Sequence, residues 1–347
     1  MGNFSSNTYN KPKEVKTIHF PDFETKLPGL EGKTIAITGC TTGTGLIAAQ
    51  TCVKKGASNV LMLNRPSKRA QEAEKKVKSF VQNGSTTKVE TISCDLQDFG
   101  SVKEAIETIK SKYEAIDVIC NNAGVMALDD YSTKDGYDVQ MQTNHLSHFL
   151  LTKELFPLLK RAQEMRGEAR IVNHSSIARK GGGDLEEKYF GKYGGNLGGN
   201  NSGFMFSGPV WKRYSQTKLA NSVFAVALAG KLNESKDESC NGGKIKAVVA
   251  APGLAATNLQ VTTQKSGAMN GNLWMMRFSQ SAEDGTMPLL CAMFDPTSEN
   301  GDFWEPNGYG NFSGLATKVK HDKYTKNKES AEILWRTSED ACGEFDI

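Results

Sequence analysis

The sequence predicts an α/β chain built on a doubly wound, mostly parallel sheet with helices on both faces, in one large domain. Three observations carry this. From Lys33 to about residue 295, short apolar β-branched runs alternate with segments of helical spacing. A Gly-rich turn, TGCTTGTG at 38–45, joins the first strand run to the first helical run. The 347 residues are 38% hydrophobic and 23% charged, an ordinary globular composition long enough for a sizeable core.

Element by element, residues 1–30 are polar, contain three prolines and show no period, as a flexible arm or an edge-packed extension would. TIAIT (34–38) reads as a strand, and 45–55 has helical spacing closed by Gly56. NVLMLN (59–64) is a strand, 67–82 a charged helix ending near Gly84, and KVETISC (88–94) a strand. Ser101 and Glu104 form a capping box for a helix running to about Tyr113. DVICN (117–121) is a strand and 135–156 a long helix ending at Pro157. RIVNHS (170–175), a helix over 212–233, IKAVVA (245–250) and a helix from Ser281 to about Phe294 complete the alternation. Residues 31–347 thus form one domain, with a C-terminal extension from about 300. One stretch breaks the rhythm: residues 181–208 hold ten glycines among scattered aromatics. A long loop inside a compact domain suits a mobile substrate loop.

Composition excludes several classes. A net charge of +3 is too weak to imply nucleic acid. Apolar runs such as AVVAAPGLAA (247–256) fall far short of the about 18 residues a membrane helix needs. The seven cysteines are scattered without CxxC or Cys/His metal spacing, so reduced thiols in a cytoplasmic setting are expected. His145 and His148 stand i, i+3 with no acidic or Cys partner at ligand spacing, so packing or surface histidines, and no metal, are expected. The N-terminus lacks the apolar core of a secretory signal, but MGNFSS matches the N-myristoylation pattern at Gly2. Lys11, Lys13 and Lys16 would add the second, electrostatic attraction that one acyl chain needs for peripheral membrane contact.

The chemistry starts at the Gly-rich turn. Gly39, Gly43 and Gly45 allow a tight turn and close approach of a pyrophosphate, with free N–H groups of a helix N-terminus behind them. Thr41, Thr42 and Thr44 can add hydroxyl donors. The second strand ends at Asn64-Arg65, where an NAD-selective site has an acid for the ribose 2′-hydroxyl. A neutral residue followed by a guanidinium suits a 2′-phosphate, so NADP(H) is expected. YSQTK puts Tyr214 and Lys218 on one helix face. For proton transfer near neutrality a phenol must fall by about 3 units from its usual value near 10. A neighbouring ammonium supplies charge of the right sign.

TGCTTGTG, NNAG at 121–124, Asn144 in QTNHLSHFLLT, RIVNHSS ending at Ser176, YSQTK and Pro252-Gly253 occur in the order of the short-chain dehydrogenase/reductase superfamily. The chain resembles that superfamily over about 31–341. NNAGVM, YSQTKLAN, SAEDGTMPLL and LWRTSEDACG resemble its retinol-dehydrogenase-like branch. The resemblance implies a Rossmann-type sheet and hydride transfer between NADP(H) and a carbonyl/alcohol pair, with a lipophilic aldehyde, ketone or alcohol (retinoid-, steroid- or lipid-like) as substrate. It implies that Tyr214 is proton donor and acceptor, and that Lys218 holds the nicotinamide ribose and depresses the Tyr214 pKa. Ser176 would orient the carbonyl, and Asn144 would support a water-mediated path to Lys218. Asp95 and Leu96 would meet the adenine. Asn122, Ala123 and Gly124 would line the adenine-ribose side, and Pro252, Gly253 and Thr257 would close over the nicotinamide amide. The chain departs from the pattern at Thr44, usually apolar, at Thr41, often Asn, and in the 38 residues from Ser176 to Tyr214. A protochlorophyllide reductase-like enzyme shares the fold and YxxxK. A non-catalytic NADPH sensor would be free to lose the four side chains that are all present here.

Overall fold

The computed structural model describes residues 15–203, 206–240, 242–256 and 279–347. Its centre is a sheet of eight strands in the order 3-2-1-4-5-6-7-8. The strands are β1 (Thr34–Thr38), β2 (Asn59–Asn64), β3 (Lys88–Ser93), β4 (Val118–Asn121), β5 (Ala169–His174), β6 (Ile245–Ala250), β7 (Phe303–Pro306) and β8 (Ala316–Lys318). All neighbours are parallel except β7–β8. Strands β1, β4 and β5 are buried along their whole length, as a sheet covered on both faces requires. The order reverses between β1 and β4, which opens the crevice at their C-terminal ends where ligands of such sheets bind.

Two cores flank the sheet. One side is covered by α1 (Phe20–Lys26), α2 (Gly43–Lys54), α3 (Lys68–Lys78) and α8 (Ala282–Phe294). The other is covered by α4 (Phe99–Lys112), α6 (Ser147–Arg166), α7 (Pro209–Glu234) and α9 (Lys328–Cys342). Here the C-terminal segment is core. Trp335 stacks on Phe345 at 5.8 Å, and both rings reach Phe149 of α6.

Several boundaries differ from expectation. The helix expected to stop at Pro157 runs through it to Arg166 and ends at Gly167, φ 87°. The buried face formed by Leu155, Phe156, Leu159 and Ala162 outweighs the bond that proline removes. The same helix begins with a short turn α5 (Val139–Met141) and a π-turn, Gln142–Leu146. Helix α4 is capped by Asp98, whose carboxylate accepts from the Gly100 N–H at 2.8 Å. Ser101 instead accepts from the Asp95 N–H. Residues 18–30 pack on the domain. The Asp284 carboxylate takes the N–H groups of Ile18, His19 and Phe20 at 2.8–2.9 Å, and Leu30 is buried. Strands β7 and β8 extend the sheet beyond the strands that the sequence predicts.

Candidate active site

The glycines of the first turn are fixed by space as much as by conformation. Gly39 has φ 73°, and a Cβ there would lie 2.8 Å from the Ala123 Cα. A Cβ on Gly45 would overlap the Asn122 amide and the Gly39 carbonyl. Gly43, φ 59°, opens α2. The α2 N-terminus has no side-chain cap and no acidic residue in its first turn, so its N–H groups and positive dipole end suit an anion. Thr41 and Thr42 are half-buried at this turn. These features fit a dinucleotide pyrophosphate.

Thr44 behaves differently from the sequence reading. Its hydroxyl donates to Asn122 Oδ1 at 2.9 Å, so its proton braces the turn instead of meeting phosphate. Asn122 in turn donates to the Thr38 carbonyl at 2.8 Å and accepts from His174 Nδ1 at 2.9 Å. Burial, then the nearby Lys218, pushes His174 down to about 3, so its ring is neutral. Asn64 is buried, and its Oδ1 accepts from the Cys40 N–H at 2.7 Å. It too holds the turn, while Arg65 lies exposed beside it. Asp95 caps its own turn through the Gln97 N–H, and the carbonyl of buried Leu96 accepts from Ser147.

The expected catalytic residues come together from four elements. Tyr214 and Lys218 lie on α7, both 4% exposed, with the ammonium 5.9 Å from the phenol ring centre. Ser176 follows β5, accepts from the Ala178 N–H, and its hydroxyl faces Tyr214 closely enough to favour the ionised phenol. Lys218 Nζ donates to the His174 carbonyl at 3.1 Å. Asn144 sits in the π-turn, a feature frequent at functional sites. Its amide donates to the Val125 carbonyl and Thr217 Oγ1, each at 2.9 Å, and its Oδ1 accepts from the Val125 N–H at 2.7 Å. Gly124 makes the meeting possible. Asn144 Oδ1 and Lys218 Nζ each lie 3.3 Å from where its Cβ would be.

Burial pushes Tyr214 up to about 12, against the nearby Ser176 hydroxyl, and burial pushes Lys218 down to about 8. The expected lowering of Tyr214 by Lys218 is not seen in the free protein, where burial raises the phenol and Ser176 alone opposes it. A buried phenol held neutral is ready to give a proton, and the ammonium beside it is only marginally retained.

The rest of the expected set falls at the same crevice, with one exception. Ala123 donates its N–H to Thr38 at 2.9 Å. Gln280 donates to the Pro252 carbonyl at 2.9 Å. Gly253 has φ 64°, and a Cβ would sit 2.8 Å from the Asn311 carbonyl oxygen. Thr257 lies outside the described residues, as do Gly2, Lys11 and Lys13. The tie between His174 and Asn122 was not legible in the sequence. Neither was an apolar cluster in which Ala127, Val210 and Trp211, flanked by Met126, Ala178 and Phe206, surround Tyr214. Ala127 and Phe206 hold positive φ, 49° and 58°, strain of about 1–2 kcal/mol each for non-glycine residues. Among the described residues no His/Cys/Asp/Glu group could hold a metal. His145 and His148 are both buried in the packing of the π-turn.

A family model described as short chain dehydrogenase matches residues 33–191. An uncharacterized oxidoreductase of Schizosaccharomyces pombe is 36% identical over 65% of this chain and 63% of its own length. Human retinol dehydrogenase 13 is 29% identical over 89% of this chain and 84% of its own length. A crystal structure of an uncharacterized protein from Mycobacterium paratuberculosis superposes with a TM-score of 0.68 at 26% identity, over 96% of this chain and all of that one.

Proposed function

The chain belongs to the short-chain dehydrogenase/reductase superfamily, in its retinol-dehydrogenase-like branch, and from that premise we propose an NADP(H)-dependent enzyme interconverting a lipophilic carbonyl compound and its alcohol. The observation that carries this is the buried, neutral phenol of Tyr214 beside Lys218, inside a wall of Ala127, Val210, Trp211 and Phe206. NADPH, when bound, supplies the hydride. The Gly39–Gly45 turn and the α2 N-terminus hold its pyrophosphate, and Arg65 takes the 2′-phosphate. Ser176 orients the carbonyl, and Tyr214 protonates the oxygen as it becomes an alkoxide. Lys218, anchored on the His174 carbonyl, holds the nicotinamide ribose and attracts negative charge toward the phenol. Asn144 supports a water path to it.

The apolar wall favours a lipophilic substrate, because burying apolar area stabilises by roughly 25 cal/mol per Å². The Gly-rich insert 181–208 contributes Phe206, whose ring meets Trp211 edge-on at 4.8 Å, and Trp211 meets Tyr214 at 6.0 Å. The insert is thus read as one side of the substrate space.

The test is NADPH oxidation by the purified protein against retinal, steroid ketones and aliphatic aldehydes. Turnover of at least one apolar class is expected, with kcat/KM at least about tenfold higher for NADPH than NADH. Arg65→Ala should erode that ratio. Equal use of both cofactors, or preference for small polar carbonyls, contradicts the reading.

Membrane contact is a separate proposal. Among the described residues no helix is long and apolar enough to cross a membrane. The MGNFSS start supports acylation of Gly2. Protein from a eukaryotic source should have lost Met1 and gained about 210 Da on Gly2. An unmodified N-terminus there rules this out.

A further inference from the structure

We infer that His148 is a positioning residue that joins the cofactor turn to Asn144, one ring nitrogen serving each. This rests on the reading just given for the turn and for Asn144. The ring is 1% exposed at the start of α6, one turn beyond Asn144. Nε2 lies 2.9 Å from Thr38 Oγ1, and Nδ1 lies 3.0 Å from the Asn144 carbonyl oxygen.

The protons can be assigned by elimination. Thr38 Oγ1 accepts two backbone N–H groups, from Asn122 at 3.0 Å and Ala123 at 2.9 Å. Both its lone pairs are used, and its single proton remains. That proton has two acceptors in reach, His148 Nε2 at 2.9 Å and the Cys120 carbonyl at 3.4 Å, and the nearer one takes it. Nε2 must then be bare. The Asn144 carbonyl can only accept, so Nδ1 carries the ring proton. Burial drives the His148 pKa down to about 4, against the Asn144 contact, with Lys218 pushing the same way as burial. The ring stays neutral, and every donor in the chain has one direction: Asn122 and Ala123 N–H to Thr38, Thr38 to His148, His148 to Asn144.

Asn144 is thereby fixed from two sides. Val125 and Thr217 hold its side-chain amide. His148 holds its peptide carbonyl, in a π-turn whose carbonyls are displaced from the ordinary helical ladder. The other nitrogen orders the Thr38 hydroxyl, on which the Asn122–Ala123 backbone hangs beside Gly39.

The two tasks can be separated by substitution. In His148→Gln an amide oxygen reaches the Nε2 position and keeps the Thr38 bond, but the donor to Asn144 is lost. In His148→Asn the amide nitrogen replaces Nδ1 and keeps the Asn144 bond, but the acceptor for Thr38 is lost. His148→Gln is expected to lower kcat about tenfold with a smaller change in NADPH Kd. His148→Asn is expected to raise NADPH Kd about tenfold with a smaller change in kcat. Independently of activity, ¹⁵N spectra of the cofactor-free wild type should show the His148 ring protonated on Nδ1 alone. A proton on Nε2, or the same kcat and Kd profile in both variants, overturns the inference. If the wild type turns over no carbonyl substrate, the functional reading fails. The ring tautomer and the NADPH affinities then still decide the role of His148.

Discussion

Arg179 and Arg213 are the largest fully buried side chains among the described residues, and each stands close in sequence to a residue of the site. Arg179 follows Ser176 by one short turn and ties it to the C-terminal region. Its Nη1 meets Glu305 at 2.7 Å, its Nε meets Asp322 at 2.8 Å, and it lies 4.4 Å over the Phe303 ring. It also donates to the Ser176 carbonyl at 3.1 Å. Arg213 immediately precedes Tyr214 and ties it to the Gly-rich insert. It donates to the carbonyls of Gly199 and Leu128 at 2.9 and 2.8 Å. Its carboxylate partners are poorer, Asp138 at 3.2 Å and Asp130 at 3.8 Å, and Arg213 Nε and Asp138 Oδ2 make no well-aligned hydrogen bond. Asp130 spends its carboxylate on the insert instead, accepting the N–H groups of Gly195, Leu197 and Gly199 at 2.7–2.9 Å. The electrostatic result differs accordingly. Asp322 is buried enough to be raised, yet the Thr325 N–H and Arg179 bring it below its ordinary value. Asp138 is pushed up to about 6 by burial, which outweighs the Met141 N–H and Arg213. Ser176 is therefore held by a satisfied ion triad, and the insert beside Tyr214 by an incompletely satisfied one. A loop proposed to admit substrate suits the second kind of support.

Breaking each triad should expose the contrast. Glu305→Gln leaves the Arg179 guanidinium buried against one carboxylate and should cost about 3 kcal/mol of unfolding free energy in urea titration. Asp138→Asn keeps an acceptor for the Gln140 and Met141 N–H groups, and should cost less than about 1 kcal/mol at pH 7.5. Its pH dependence has a definite sign. The folded pKa lies above the ordinary carboxyl value, so folding takes up a proton and the stability Asp138 contributes rises as pH falls through 6. The wild type should gain about 1 kcal/mol on Asp138→Asn between pH 7.5 and pH 5. Equal costs for the two substitutions, or the reverse pH trend, would break the comparison.

The same contrast marks what was legible in the sequence. The sheet, the Gly-rich turn and YSQTK were legible because strand period, glycine geometry and i, i+4 spacing are local properties. Both arginine triads were invisible. The partners of Arg179 lie more than a hundred residues away, and nothing local distinguishes Asp130 from a solvated surface acid. Thr44 reads as a phosphate donor because a hydroxyl in such a turn can be one, but Asn122, reached only through the fold, takes its proton. Pro157 reads as a stop in the sequence because proline breaks isolated helices. The buried face of α6, a tertiary property, carries the helix past it. The π-turn left no local signature either, and with it the reason for two histidines just after Asn144.

The claim on which the rest depends is that the Tyr214 phenol is the proton donor of this site. The direct measurement is kcat together with NADPH Kd for Tyr214→Phe, on whichever carbonyl substrate the wild type reduces best. The substitution removes one hydroxyl and leaves the ring in its apolar wall. NADPH affinity within about twofold of wild type and a loss of at least about a hundredfold in kcat are expected. A kcat near that of wild type would contradict the assignment and remove Tyr214 from the chemistry.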